Sequence, residues 1–398
     1  MHIIFVCQEY PIDPNQPTGG FGRYVQTISK GLVAANHSVT VLCQGKKNTS
    51  FINADGVDIY CLKALELPRF FSKRMRQFLN YPLFWSFSVW RTIVKRNTSK
   101  RIDIIEAGDF AGELFFYFIF SNLNVPTVIK LHTPSFIIRK FNHESNTFFY
   151  RILYFLEVFC LKKATGLNSP TKSLAKFVGE EIHRPITTII PYPVDITNKQ
   201  FELYTRIPQS ILYAGKLQPK KGIFTLIKSA AAVIKKIPTA NFLFVGPDTV
   251  WNGDSVKKQL EEYIQVNILT KNISISPELS KEKLIDVYKK SEITVIPSIW
   301  ENFPNVCLEA MMNGSLVIAS NVGGVKEIIT DKKTGFLVEP EDSKALSYKI
   351  ISCLRLSASI KKMVATQAKE SIKKRYGLKK ITYKTLTFYK TCLSLSPQ

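Results

Sequence analysis

The feature that most restricts this chain is a rhythm that runs through it twice: short β-branched or apolar stretches alternate with segments of helical length. HIIFVC, SVTVLCQ, IDIIEAG, PTVIKLH and ATGLNSP have this character in the first half, and SILYAGK, ANFLFVG, ISISP, EITVIPS, SLVIAS and TGFLV in the second. Strands that are apolar on both faces belong to parallel sheets, whose connections need a crossover helix, so the alternation predicts βα units. Between the halves lies RPITTIIPYPVDITNKQFELYTRIP, rich in proline and turn residues and without a regular period, where we expect the linker. At 398 residues the chain is long enough for two cores. The expectation is two related α/β domains, residues 1–195 and 196–375, facing each other across a cleft, with residues 376–398 as a helix that packs back on the first domain.

Composition narrows the setting. The seven cysteines are odd in number, scattered and never in a C-x-x-C pair, which argues for a reducing compartment and against a disulfide framework or a zinc site. The apolar run that opens the chain stops at Gln8-Glu9, and no stretch approaches the roughly 18 uninterrupted apolar residues that span a bilayer. A soluble or peripheral cytoplasmic protein is expected.

Charge adds a surface to explain. Lys and Arg number 54 against 31 acidic residues, a formal charge of +23, a field that draws anionic lipid, nucleic acid or phosphorylated substrates. From Leu67 to Ile102 there is no acid, while Arg69, Lys73, Arg74, Arg76, Arg91, Lys95 and Arg96 alternate with Phe70, Phe71, Phe78, Tyr81, Phe84, Trp85, Phe87 and Trp90. Cations among large rings suit an interface with lipid headgroups, so residues 67–102 are expected to dock on an anionic membrane surface. The other reading makes the rings core and the cations a solvated helix face. Nucleic acid is not expected, because no recognised binding module accompanies the charge.

Ligands of open α/β sheets bind at the carboxyl ends of the strands. After the first strand a long loop leads to Gly19-Gly20-x-Gly22 and an amphipathic helix. A dinucleotide fingerprint would place its glycines directly after the strand and a third where Val25 stands; this sequence does neither. What remains is a glycine turn at a helix N-terminus, either an ordinary turn or an anion site. PTVIKLHTP ends in His132, either a hydrogen-bonded core histidine or a site residue. SILYAGKLQPKKG runs into Lys216, with Lys220, Lys221 and Gly222 opening the next helix: either ordinary solvated lysines or, with the helix N-terminus, a diphosphate grip. Glu301 follows the strand EITVIPS, and Glu309 stands in the apolar helix NVCLEAMM, where a carboxylate needs a partner, whether a ligand or a neighbouring loop.

Taken in order, the glycines near residue 19, His132-Thr133, AGKLQPKKG at 214–222, E-x7-E at 301–309, GGVKEII at 323–329 and TGFLV at 334–338 resemble the retaining GT-B-fold glycosyltransferases of glycosyltransferase family 4, the glycosyl transferases group 1, over nearly the whole chain. The resemblance implies a Rossmann-like acceptor domain first and a Rossmann-like nucleotide-sugar domain second. It implies that Glu309 holds the ribose, that Glu301 with Asn302, Phe303, Pro304, Asn305 and Val306 holds the transferred sugar and faces the phosphates, and that Lys216 and Lys221 neutralise the diphosphate. Gly19 and Gly20 would admit the diphosphate close to backbone, and His132 would contact the sugar near the reacting carbon. It further implies metal-independent transfer of a hexosyl group with retention, without a cofactor, to a glycan acceptor; no D-x-D occurs in the chain. Combined with the basic aromatic stretch, this yields a lipid-linked acceptor in surface polysaccharide biosynthesis at the inner membrane face. Two departures stand out: Lys216 occupies a position where the family commonly has Arg, and Asn302 one where it frequently has Gly. The competing readings are a GT-B-fold nucleotide-sugar epimerase or hydrolase, and a non-catalytic basic membrane-surface adaptor.

Overall fold

The structure, a computed structural model, describes residues 1–12, 19–63, 80–142, 147–195 and 205–395. It divides into two compact units, one of residues 1–195 with 378–398 and one of residues 196–377. Strands follow in chain order as β1 (His2–Val6), β2 (Ser38–Gly45), β3 (Thr49–Ile52), β4 (Asp58–Lys63), β5 (Ile104–Gly108), β6 (Thr127–Lys130) and β7 (Gly166–Asn168) in the first unit. They form one sheet in the order β3-β4-β2-β1-β5-β6-β7. All pairs are parallel except β3 with β4. Every residue of β1 and β5 is buried, as a central strand covered by helices on both faces requires.

One of those buried residues is an acid. Glu106, in the middle of β5, accepts 2.7 Å hydrogen bonds from the Tyr24 and Tyr389 hydroxyls. Tyr24 lies on the helix Gly20–Ala34 and Tyr389 on the helix Leu378–Leu395, so this carboxyl ties both helices to the sheet. The two helices also touch at Gly31, where a Cβ would come within 2.2 Å of the Thr382 hydroxyl. The chain's last helix thereby belongs to the first unit.

In the second unit β8 (Ile207–Ala214), β9 (Asn241–Val245), β12 (Ile273–Ser276), β13 (Ser291–Ile296), β14 (Leu316–Ser320) and β15 (Phe336–Val338) form a parallel sheet in the order β12-β9-β8-β13-β14-β15. The short strands β10 (Val250–Trp251) and β11 (Asp254–Ser255) pair with each other. The core runs from Ile211 and Leu226 through Phe244, Leu260 and Ile318 to Val364. Each sheet is thus a Rossmann-like layer, and all eleven sequence segments with strand character hold one of these strands.

Of the basic aromatic stretch, Arg69, Lys73, Arg74, Arg76, Phe70, Phe71 and Phe78 lie outside the described residues, as does the Tyr81 side chain. The described part divides. Trp85 is core at 1% exposure and donates its indole N–H to Glu113 at 2.9 Å. Arg96 pairs with Asp58 at 2.9 Å and lies over the Tyr60 ring. Phe87 and Trp90 are half-buried, and Arg91 and Lys95 are exposed.

Candidate functional site

In the second unit the candidate residues follow the carboxyl ends of β8 and β13. β8 ends at Ala214, Lys216 follows exposed, and a 3-10 turn over Pro219–Lys221 leads to the helix Ile223–Lys236. Gly222 sits at the junction with φ +69°, and a Cβ there would meet the Pro297 carbonyl oxygen at 1.8 Å, so only glycine lets this turn rest against the end of β13. That approach carries Lys221 to Glu301: Nζ donates to Oε1 at 2.6 Å. The Ser298 hydroxyl donates to the same oxygen at 2.9 Å. The Glu301 carbonyl accepts from Gly324 N at 2.9 Å, and Gly323, at φ +43°, approaches that oxygen so closely that a Cβ would stand 2.0 Å away. Glu301 is thereby fixed at both its backbone and its carboxylate.

Asn302, Phe303 and Pro304 are buried, with Phe303 edge-on to Tyr376 at 5.4 Å between ring centroids. Asn305 and Val306, both half-buried, begin the helix Asn305–Met312. Glu309 lies on that helix, half-buried, and accepts from the hydroxyl of the fully buried Tyr288 at 3.2 Å. The partner that the carboxylate requires is therefore, at least in part, the protein's own.

The helices that begin at these turns differ from others in the unit. The helices opening at Val256, Lys281, Ser343 and Ala358 are each capped by a side chain of the preceding residue, Ser255, Ser280, Asp342 and Ser357. Gly222 and Pro304 offer no side-chain cap to the first-turn N–H groups of their helices, of which Cys307 N donates to the Pro304 carbonyl at 3.0 Å.

In the first unit Gly20 and His132 come together: a Cβ on Gly20 would stand 2.6 Å from Cε1 of the imidazole. Gly19 is close to Glu9 instead, and Glu9 accepts from Gly22 N at 3.0 Å. The positive end of the helix Gly20–Ala34 thus faces a carboxylate of the chain itself. His132 is held on two sides. Its backbone N–H donates to Asp109 at 2.8 Å, and its Nδ1 is hydrogen-bonded to the Tyr192 hydroxyl, with the two rings stacked 5.8 Å apart. The ammonium of Lys130, buried and bonded to Asn168 at 2.7 Å and to the Ile190 carbonyl, lies 5.5 Å from the Tyr192 ring centroid.

Burial sets the protonation of this region. It pushes the Asp109 carboxyl up to about 7 against the pull of the backbone N–H groups it accepts from. It pushes Glu113 and Glu157 up to about 8. It lowers the Lys130 ammonium to about 7, with Glu106 pulling the other way.

Glu9, Asp109, Tyr192, Tyr288 and Ser298 were not among the sequence candidates. Asp109 and Ser298 each follow a strand's carboxyl end, a position that could have marked them. Tyr192 is 60 residues from His132 and carries no such signal.

Comparison with known proteins gives the family. Residues 18–198 match the model of Glycosyltransferase Family 4, and residues 198–371 match that of Glycosyl transferases group 1. An uncharacterized glycosyltransferase of Methanocaldococcus jannaschii is 23% identical over 99% of both chains. A D-inositol 3-phosphate glycosyltransferase of Rhodococcus jostii is 31% identical over 32% of this chain and 29% of its own. Among solved structures, sucrose-phosphate synthase from Thermosynechococcus elongatus superposes with a TM-score of 0.78 at 18% identity, covering 99% of this chain and 100% of that one. The Anabaena protein HepE, solved in complex with UDP-glucose, superposes with a TM-score of 0.71 at 18% identity over 99% of this chain and 100% of its own. Matched across both of its halves, the chain belongs to the family 4, group 1 glycosyltransferases and has the GT-B fold.

Proposed function

We propose that this protein transfers a hexosyl group from a nucleoside-diphosphate sugar, with retention and without a metal, to a lipid-linked glycan acceptor in the synthesis of a surface polysaccharide. The observation that carries the reading is the Lys221–Glu301 pair at 2.6 Å, set between two glycine-dependent turns, that of Gly222 after β8 and that of Gly323 after β14. An ammonium has three donors, so Lys221 can keep Glu301 and also meet a diphosphate. Glu301 keeps an oxygen for sugar hydroxyls, while the N–H groups after Gly222 and Pro304 that lack a side-chain cap face phosphate.

The chemistry places charge where these groups stand. The bond from the anomeric carbon to the diphosphate oxygen breaks, its electron pair goes to the phosphate, and the sugar becomes oxocarbenium-like. Lys216 and Lys221 stabilise the departing anion, and preorganised donors of this kind lower the barrier. The acceptor hydroxyl attacks the same face, and its proton passes to the leaving phosphate oxygen. His132, oriented by Tyr192 and Asp109, contacts the sugar at the reacting carbon.

A thermal-shift screen against UDP-, GDP- and ADP-sugars in EDTA tests the donor site. UDP-glucose is the first donor to try, because HepE was solved with it. One donor should raise the melting temperature of the wild type, and Glu309→Ala should lose most of that rise. If no nucleotide-sugar moves the melting point, the donor reading fails. Proton NMR of the glycoside formed decides retention: a product with the anomeric configuration opposite to the donor's would refute it.

A further inference from the structure

The helix Phe148–Lys163 presents its rings outward and its acid inward. Its inner stripe holds Leu156, Glu157, Cys160 and Leu161, all buried, and Glu157 spends both oxygens on Ser135 and the Ala111 N–H. The outer stripe, at spacings of three, four and seven residues, is Phe148, Arg151, Phe155, Phe159 and Lys162. Phe148 is 72% exposed and Phe155 56%. From Phe155 the rings continue without a break: Phe115 lies 6.3 Å away, Phe116 5.4 Å from Phe115, Phe120 5.6 Å from Phe116 and Trp90 5.3 Å from Phe120. Phe120, on the helix Phe115–Phe120, is 52% exposed and its neighbour Ile119 47%. Three helices thus share one aromatic ridge open to solvent, more than scattered surface rings account for.

The exposed charges carried by the three ridge helices have one sign, and the acid at their edge is Glu181 of the helix Lys172–Ile182, which accepts from the Tyr154 hydroxyl at 2.7 Å. The helices Trp85–Ser99 and Phe115–Phe120 contain no acid, and Glu157 of Phe148–Lys163 is buried. Arg91, Lys95, Arg151, Lys162 and Lys163 are exposed on these helices, and the Lys163 ammonium sits 6.0 Å from the Phe159 ring centroid. A second copy fits poorly, because a twofold contact brings the five cations of each copy to one interface with Glu181 at its edge to offset them. No helix among the described residues is long and apolar enough to cross a membrane. Rings that enter the headgroup boundary while cations meet lipid phosphate satisfy both halves of the pattern.

We propose that this ridge, running from Phe148 and Phe155 through Phe120 to Trp90, docks the protein on an anionic lipid surface. The inference rests on the reading that the protein works at a membrane, and it relocates the contact from residues 67–102 alone to a face that includes the helix Phe148–Lys163. Flotation with phosphatidylcholine vesicles, with and without phosphatidylglycerol, tests it at low salt on the wild type, Phe148→Ser/Phe155→Ser and Arg151→Glu/Lys162→Glu. The wild type should bind the anionic vesicles about tenfold or more tightly than the neutral ones, and each double variant should lose about tenfold or more, with melting temperature and donor turnover unchanged. Brominated acyl chains should quench tryptophan fluorescence in the wild type. A wild type that binds neither vesicle overturns the ridge together with the membrane reading. A wild type that binds anionic vesicles while both variants bind equally overturns the ridge alone. A dimer that Phe148→Ser/Phe155→Ser dissociates overturns it in favour of a second copy.

Discussion

Lys221 and Glu301 show how one short contact depends on residues that carry no charge. The pair is only partly exposed, at 29% and 13% of its side chains, and Ser298 fixes the carboxylate from the other side. Both ends are placed by glycines at positive φ, and Gly222 meets the Pro297 carbonyl more closely than any side chain allows. Gly222→Ala is therefore expected to destabilise the protein by about 2 kcal/mol or more, read from the urea midpoint at constant m-value. An unchanged midpoint would mean that the turn relaxes at no cost. The acids themselves were legible in the sequence, because an acid at a strand end and another in an apolar helix ask for an explanation. Their partners were not: Tyr288 precedes Glu309 by 21 residues, and neither hydroxyl nor ring pattern at that position singles it out.

Elements of the first unit are tied together by buried carboxyls, and pH should reveal them. Glu113, which accepts from Trp85 on the helix Trp85–Ser99, has its carboxyl raised by burial from 4.5 to about 8. The fold favours its protonated form, so its contribution is complete below pH 4.5 and is lost as the pH rises toward 8. Asp109 and Glu157 act in the same direction. Lys130 acts oppositely: its ordinary value is 10.5 and its folded value about 7, so its contribution is complete above 10.5 and falls away as pH drops toward 7. As the pH rises from about 5 to about 7 the acids dominate, and the melting temperature should fall. Glu113→Gln keeps an acceptor for Trp85 and removes the titration, so its melting temperature should fall less steeply; parallel slopes would contradict the assignment. Tyr389→Phe leaves one oxygen of Glu106 without its donor and should cost about 1–3 kcal/mol in chemical denaturation.

The same unit shows where the sequence was silent. The central strands announced themselves as apolar runs, but β3 is exposed at all four residues and β4 joins it antiparallel, so no buried run marks the pair. The turn between them, with Asp55 before Gly56 at φ +77°, was the available signal. The rings of the helix Phe148–Lys163 carried no mark in the sequence, and the buried Leu156, Glu157, Cys160 and Leu161 show which side faces in.

At the scale of the molecule, the chain folds as two units around separate sheets. Lys216, Lys221, Glu301 and Glu309 all lie in residues 196–377, together with a core of their own. A fragment of those residues should fold and bind the nucleoside diphosphate of the donor without the remainder of the chain, measured by calorimetry; a fragment that folds without binding it would assign essential donor contacts elsewhere. Removal of Leu378–Gln398 should instead unfold the first unit, since Ile381, Tyr389 and Cys392 are buried in it.

In the proposed reaction Lys221, paired with Glu301, stabilises a diphosphate leaving group without a metal. The direct test is release of nucleoside diphosphate from the donor found by the screen, in EDTA, by the wild type and Lys221→Ala. The account predicts turnover by the wild type and a loss of about 100- to 1000-fold in kcat/KM for the variant, the scale of losing one preorganised donor. Release by the variant at the wild-type rate, or by the wild type only after a divalent metal is restored, would contradict it.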